Sequence, residues 1–243
     1  MNKTKLKTSL FIVSSFLIPA IMMFFIYLSQ GIYWNSDTSP LLGDGYHQYV
    51  IFDTTLRNIL HGTDSLFYSF QSGLGINFYA LSSYYLGSFF SPLVYFFNAQ
   101  SMPDAVYLIT LLKFGAIGLS TYISLHGMFS KIPRSLVLTL STSFALMSFA
   151  ISQIEIKTWL DVFILAPLIL YGFKKLIYNE GEILYFISLT SLFIQNYYFG
   201  FMMSVFLILW YLTQLSWDIK GIGKRFFHFV IVSLLSVITS LVM

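Results

Sequence analysis

Seven apolar runs, each nearly free of charge, mark the chain at 10–28, 105–125, 135–152, 162–178, 183–197, 201–215 and 227–243. Crossing the hydrocarbon core takes a helix of about 17–25 predominantly apolar residues, whereas a barrel strand would alternate apolar and polar positions. These runs do not alternate. The pattern predicts an all-α, polytopic helical membrane protein with about seven transmembrane helices and a large loop, 29–104, after the first.

Inside that loop Tyr49, Phe52, Leu56 and Ile59 recur at helical spacing. They predict an amphipathic helix on the membrane surface, with His47, Thr54, Arg57 and Asn58 away from its apolar face. The stretch 78–97 is also uncharged and about long enough to span, but Gly87 and Pro92 interrupt it and it is rich in Ser and Tyr. It reads as re-entrant or interfacial.

Composition closes off other classes. Hydrophobic residues make up 57% of the 243 and charged residues 9%, with a mean hydropathy of +0.76. A soluble domain carries about 25% charged residues, so this chain cannot build a water-facing surface. Cysteine is absent, which excludes disulfides, thiolate catalysis and Cys-based metal sites. The net charge of +3 matters less than where the charges fall.

Basic residues concentrate on the cytoplasmic side of membrane proteins. If 78–97 does not cross, Lys3, Lys5, Lys7, Lys131, Arg134, Lys174, Lys175, Lys220, Lys224 and Arg225 lie inside, against Arg57 and Lys157 outside. If it crosses, most of them move outside. The first arrangement is favoured. It puts the N-terminus in the cytoplasm, with the first run a retained signal anchor. Asp37, Asp44, Asp53, Asp64, Asp104, Glu155 and Asp161 fall outside, and only Glu180, Glu182 and Asp218 inside. Carboxylate chemistry is therefore expected on the outer face. The chain stops at Met243 at the end of an apolar run, as expected of a fragment of a longer membrane protein.

Asp44 lies between Gly43 and Gly45, ahead of the amphipathic helix. It suits a helix N-cap and equally an accessible base, and the two roles are compatible. His47, Gln48 and Arg57 follow within reach. Lys113 is anomalous: it lies about 12 Å into its span at 1.5 Å per residue, where an ionised group costs roughly 2.5–3.5 kcal/mol. It reads as a cation for a lipid phosphate, as a snorkelling lysine or as half of an ion pair. Trp159-Leu-Asp161 and Asn196-Tyr197-Tyr198 mark two further outer segments. No phosphate-binding loop and no Asp-x-Asp pair occurs, which argues against nucleotide-sugar chemistry, and no nucleic-acid partner is expected.

Taken in order, Gly43-Asp-Gly-Tyr-His-Gln-Tyr49, Gly73-Leu-Gly-Ile-Asn77, Tyr84-Tyr-Leu-Gly-Ser88, Lys113 with Gly118, Trp159-Leu-Asp161 with Pro167, and Asn196-Tyr-Tyr-Phe-Gly200 resemble the N-terminal part of the bacterial YfhO-type membrane proteins of the GT-C glycosyltransferase superfamily. The resemblance runs over nearly the whole chain. It implies transfer of a sugar from undecaprenyl phosphate to a cell-wall polymer such as lipoteichoic acid, at the outer face of the bacterial cell membrane. It places Asp44 as the essential acidic residue of the first outer loop. Lys113, His47, Gln48, Arg57, Asp161, Asn196 and Tyr197 are the expected substrate-binding residues. No cofactor is called for and no metal site is indicated. The alternatives are a transporter, permease or lipid flippase, which would also bury a lone lysine, and a noncatalytic scaffold for polymer assembly.

Overall fold

The computed structural model describes residues 3–70, 73–215 and 222–241. Asp218 and Lys220 of the charge count lie outside the described residues, as do the side chains of Lys3, Lys5 and Lys224. The elements are helices: α1 (Lys3–Ser29), α2 (Val50–Leu60), α3 (Phe78–Tyr85), α4 (Met102–Met128), α5 (Arg134–Ala145), α6 (Ser148–Ser152), α7 (Lys157–Ile177), α8 (Ile183–Gln195), α9 (Tyr197–Leu215) and α10 (Ile222–Ser240). Among the described residues there is no strand, only an isolated bridge between Ser69 and Ile76. The chain is an all-α polytopic membrane protein.

The apolar runs become the long helices, with shifts at their ends. Lys7–Ser29, Met102–Met128, Arg134–Ser152 and Tyr197–Gln214 are long and apolar enough to cross a membrane. Of the other three, α7 carries Lys157 and Asp161 in its first turns and Lys174 and Lys175 in its last. Ile183–Gln195 and Arg225–Ser240 are shorter apolar helices. The run 135–152 bends at Leu146 and Met147, which separate α5 from α6. The stretch 78–97 splits into α3 and a 3-10 turn, Ser91–Phe96, each too short to cross.

The bundle is a chain of neighbours: α1 packs on α4, α4 on α7, α7 on α8, and α8 on α10, while α5 leans on α4 and α1. Lipid tails are as apolar as the side chains, so close backbone approach and interhelical polar contacts drive this packing. At Gly118 a Cβ would come within 2.3 Å of the Ser15 carbonyl and 2.6 Å of Pro19, so only glycine lets α4 meet α1 there. The exposed faces of α1 and α9 are lined with Leu, Ile, Phe and Val, as suits helices against lipid.

The three segments assigned outside gather at one end of the bundle. The loop 30–101 is tied down there: Asn35 N–H donates to Asp104 in the first turn of α4 at 2.8 Å, and Trp34 lies against Phe97. Gly43 abuts Glu155 of the α6–α7 loop, and Gly87 abuts Gln195 at the end of α8. The opposite end collects basic side chains. Arg134 donates to Thr8 at 2.8 Å, Lys174 to the Met128 carbonyl, and Arg225 to the Ile177 carbonyl. This separation of acidic and basic ends matches the grouping read from the charges.

Candidate functional site

The loop helix forms as its pattern dictates. Tyr49 and Phe52 are buried, and Leu56 and Ile59 pack with them against Phe78, Leu86 and Tyr85. Its apolar face is thus covered by the rest of the loop. Ahead of it Gly45–Tyr49 winds a single π turn, a rare geometry frequent at functional sites.

Asp44 stands at the head of that turn but makes no capping hydrogen bond. Its carboxylate is exposed, and one oxygen accepts from Gln48 Nε2 at 3.2 Å. The capping role considered for Asp44 is therefore absent. Gly43 before it adopts φ +46°, and a Cβ there would come within 2.3 Å of a Glu155 carboxylate oxygen. That conformation favours glycine, and any side chain there would push the Glu155 carboxylate aside. Glu155 also lines a cavity of about 220 Å³ with Gln30, Pro40, Leu42 and Ser152.

Aromatic rings surround this corner. Tyr85 meets Tyr49 at 5.3 Å and Phe52 at 4.8 Å, Tyr84 meets Tyr85 at 4.8 Å, and Tyr84 reaches Tyr197 at 6.3 Å. Burial pushes the Tyr49 hydroxyl well above the ordinary phenol range; the Thr158 hydrogen bond opposes this, and Tyr84, Tyr85 and Asp44 add to it. Burial raises Tyr85 as well, followed by Tyr84 and Asp44. The Asp44 carboxylate therefore lies within electrostatic reach of these rings. Tyr84 and Tyr197 are 42% and 58% exposed and form an open aromatic shelf.

Beneath the shelf lies a buried network of four charges. Lys113 is fully buried; its ammonium donates to Asp161 at 2.6 Å and to the Lys157 carbonyl at 2.8 Å. Asp161 also accepts from Ser88 Oγ at 2.8 Å. Lys157 turns to Asp53, donating to both carboxylate oxygens, and its ammonium lies 5.6 Å from the centre of the Tyr49 ring. Tyr49 and Thr158 share a hydroxyl hydrogen bond of 3.0 Å. Two cations and two carboxylates compensate each other, as buried charges must.

This geometry corrects part of the expected binding set. Lys113 does not face a lipid phosphate: it has no exposed surface and is spent on Asp161, because α4 brings it level with the first turns of α7. Asp161 is buried as its partner. Arg57 points back into the loop, with Nε donating to the Phe97 carbonyl at 2.9 Å and Nη1 to Asn58 at 3.1 Å. Asn196 is buried and accepts from Phe199 N–H at 3.2 Å, so it caps α9. The open side chains near Asp44 are His47, which is exposed against Tyr46, Gln48 and, across the shelf, Tyr197. Among the described residues no group of three or more His, Asp or Glu side chains converges on a metal position.

Asp53, Lys157, Ser88 and Thr158 join the site only through contacts between distant segments. Asp53 carried a signal: it falls on the apolar stripe of α2, next to Phe52, where a charge has no place unless paired.

A protein-family model matches residues 14–243, described as bacterial membrane protein YfhO. The chain belongs to the YfhO family. The match covers the loop between α1 and α4 and every helix from α2 onward, so the exposed Asp44 corner and the buried charges are features of a YfhO-family membrane protein. No curated protein and no solved structure matches the chain.

Proposed function

We propose that this YfhO-family protein is a membrane glycosyltransferase of the GT-C type. It moves a sugar from undecaprenyl phosphate to a hydroxyl of a cell-wall polymer such as lipoteichoic acid. The reaction runs on the outer face of the bacterial membrane, with the N-terminus in the cytoplasm. The observation that carries this reading is the Asp44 carboxylate. It is exposed, free of any capping bond, and held by Gln48 beside an open shelf of tyrosines.

In the reaction the acceptor hydroxyl oxygen attacks the anomeric carbon. The bond from that carbon to the phosphate oxygen breaks, and its electron pair leaves with the polyprenyl phosphate. The hydroxyl proton passes to Asp44, which later releases it to water. A base in this position contributes typically about 10²–10⁴-fold in rate. The phosphate ester is already a leaving group, so no nucleotide is needed. Tyr84 and Tyr197 offer faces on which a sugar ring stacks. His47, exposed three residues from Asp44, replaces Lys113 as the donor of a hydrogen bond to the phosphate.

The test is direct. The protein is placed in lipid nanodiscs with a polyprenyl-phosphate sugar labelled in the sugar, and with a polyglycerol-phosphate acceptor. Labelled polymer and free polyprenyl phosphate should appear together and in equal amounts. Intact donor after prolonged incubation, with binding of donor demonstrated, would contradict the transferase reading.

A further inference from the structure

The first turns of α7, with the residues just before them, touch the segments that frame the outer site. Glu155 abuts Gly43, Lys157 binds Asp53, Thr158 binds Tyr49, and Asp161 binds Ser88 and Lys113. Three of these contacts bracket the π turn that presents Asp44. Gly43 lies just before it, Tyr49 ends it, and Asp53 lies one turn beyond. The π turn is a rare backbone pattern, frequent at functional sites, and these contacts anchor it before, at and beyond its end. The Tyr49 hydroxyl is buried, so its bond to Thr158 is costly to leave unmade.

We propose that the outer end of α7 sets the position of Asp44, with Thr158 and Lys157 as positioning residues for the transfer reaction. The inference rests on the reading of Asp44 as the base. Thr158 acts through Tyr49: their hydrogen bond fixes the end of the π turn, and so the angle at which Asp44 leaves its head. Lys157 acts through Asp53, pinning the following turn of α2 and facing the Tyr49 ring. Neither side chain reaches the substrate, since both are buried. A misplacement of about 1 Å at a reacting group can cost about 10²-fold in rate, so small shifts in the π turn are enough.

The experiment pairs kinetics with a readout that needs no catalysis. Thr158→Val keeps the volume and removes the hydroxyl; Tyr49→Phe removes the other half of the same bond. Each should lower kcat for transfer about 10–100-fold with the donor KM unchanged, and the double variant should be no worse than either alone. Thr158→Ser should restore most of the rate. Independently, Gly45→Cys with Glu155→Cys forms a crosslinking pair, because a Cβ on Gly45 would sit 3.9 Å from Glu155 Cα, which keeps the two Cα atoms within the upper limit of about 6.8 Å that disulfides span. The chain has no other cysteine. Oxidative crosslinking should be fast in the parent and slowed at least several-fold by Thr158→Val. Wild-type kcat together with unchanged crosslinking in Thr158→Val overturns the proposal. Slowed crosslinking in a protein that never transfers sugar would instead keep the positioning role and reject the glycosyltransferase reading.

Discussion

Lys113 Nζ lies 2.6 Å from Asp161 Oδ2, and neither side chain reaches the surface. Such a pair costs much to desolvate, and breaking it from one side strands a charge. Lys113→Met should therefore destabilise the protein by about 3–5 kcal/mol, read as a fall in melting temperature in detergent. The double variant Lys113→Met with Asp161→Leu should recover most of that loss. A Lys113→Met protein as stable as the parent would show that the pair is not formed in solution.

Asp53 and Lys157 make the second buried pair, linking α2 to α7 across 104 residues of sequence. Lys157→Met leaves the Asp53 carboxylate buried and unpaired. Amide exchange over 50–60 should then quicken at least tenfold while α1 and α4 stay protected. Uniform protection across all three helices would mean that apolar packing alone holds the loop.

The α1–α4 contact depends on Gly118. A methyl group there meets the Ser15 backbone carbonyl at 2.3 Å, and backbone cannot move aside as a flexible side chain can. Gly118→Ala should cost about 1–3 kcal/mol through overpacking, again visible in the melting temperature. Unchanged stability would argue that the helices stand further apart.

Much of this was legible in the sequence. Apolar runs gave the long helices, and the positive charges separated the two ends of the bundle, with Lys174 and Arg225 at one and Asp53 and Glu155 at the other. The period of Tyr49, Phe52, Leu56 and Ile59 gave α2. Contact between distant helices leaves no trace in the spacing along one helix. Lys113 has Ile109 and Ile117 one turn away on its own helix, so it looked unpaired; its partner comes from α7, 48 residues on. Asp44 was compatible with a cap because aspartate favours that position, but a π turn replaced the expected α-helical start and left the carboxylate without a capping bond. The break of 135–152 into α5 and α6 also had no breaker residue to announce it.

The two-ended arrangement predicts a labelling pattern. With no native cysteine to remove, single cysteines at Asp64, in the outer loop, and at Asn179, in the α7–α8 turn, should react with an impermeant thiol reagent from opposite sides of the membrane. Asp64 should label in intact cells. Labelling of both from one side would contradict the orientation.

The most direct test of the account is the transfer rate of Asp44→Asn in nanodiscs with polyprenyl-phosphate sugar and polymer acceptor. Asparagine keeps the shape and the hydrogen bond with Gln48 but takes no proton at neutral pH. Asp44 caps nothing, so the variant should melt at the parental temperature. The account predicts that its kcat falls about 10²–10⁴-fold, the contribution of a general base, with donor KM little changed. A rate within a few-fold of the parent would contradict it and remove Asp44 from the chemistry.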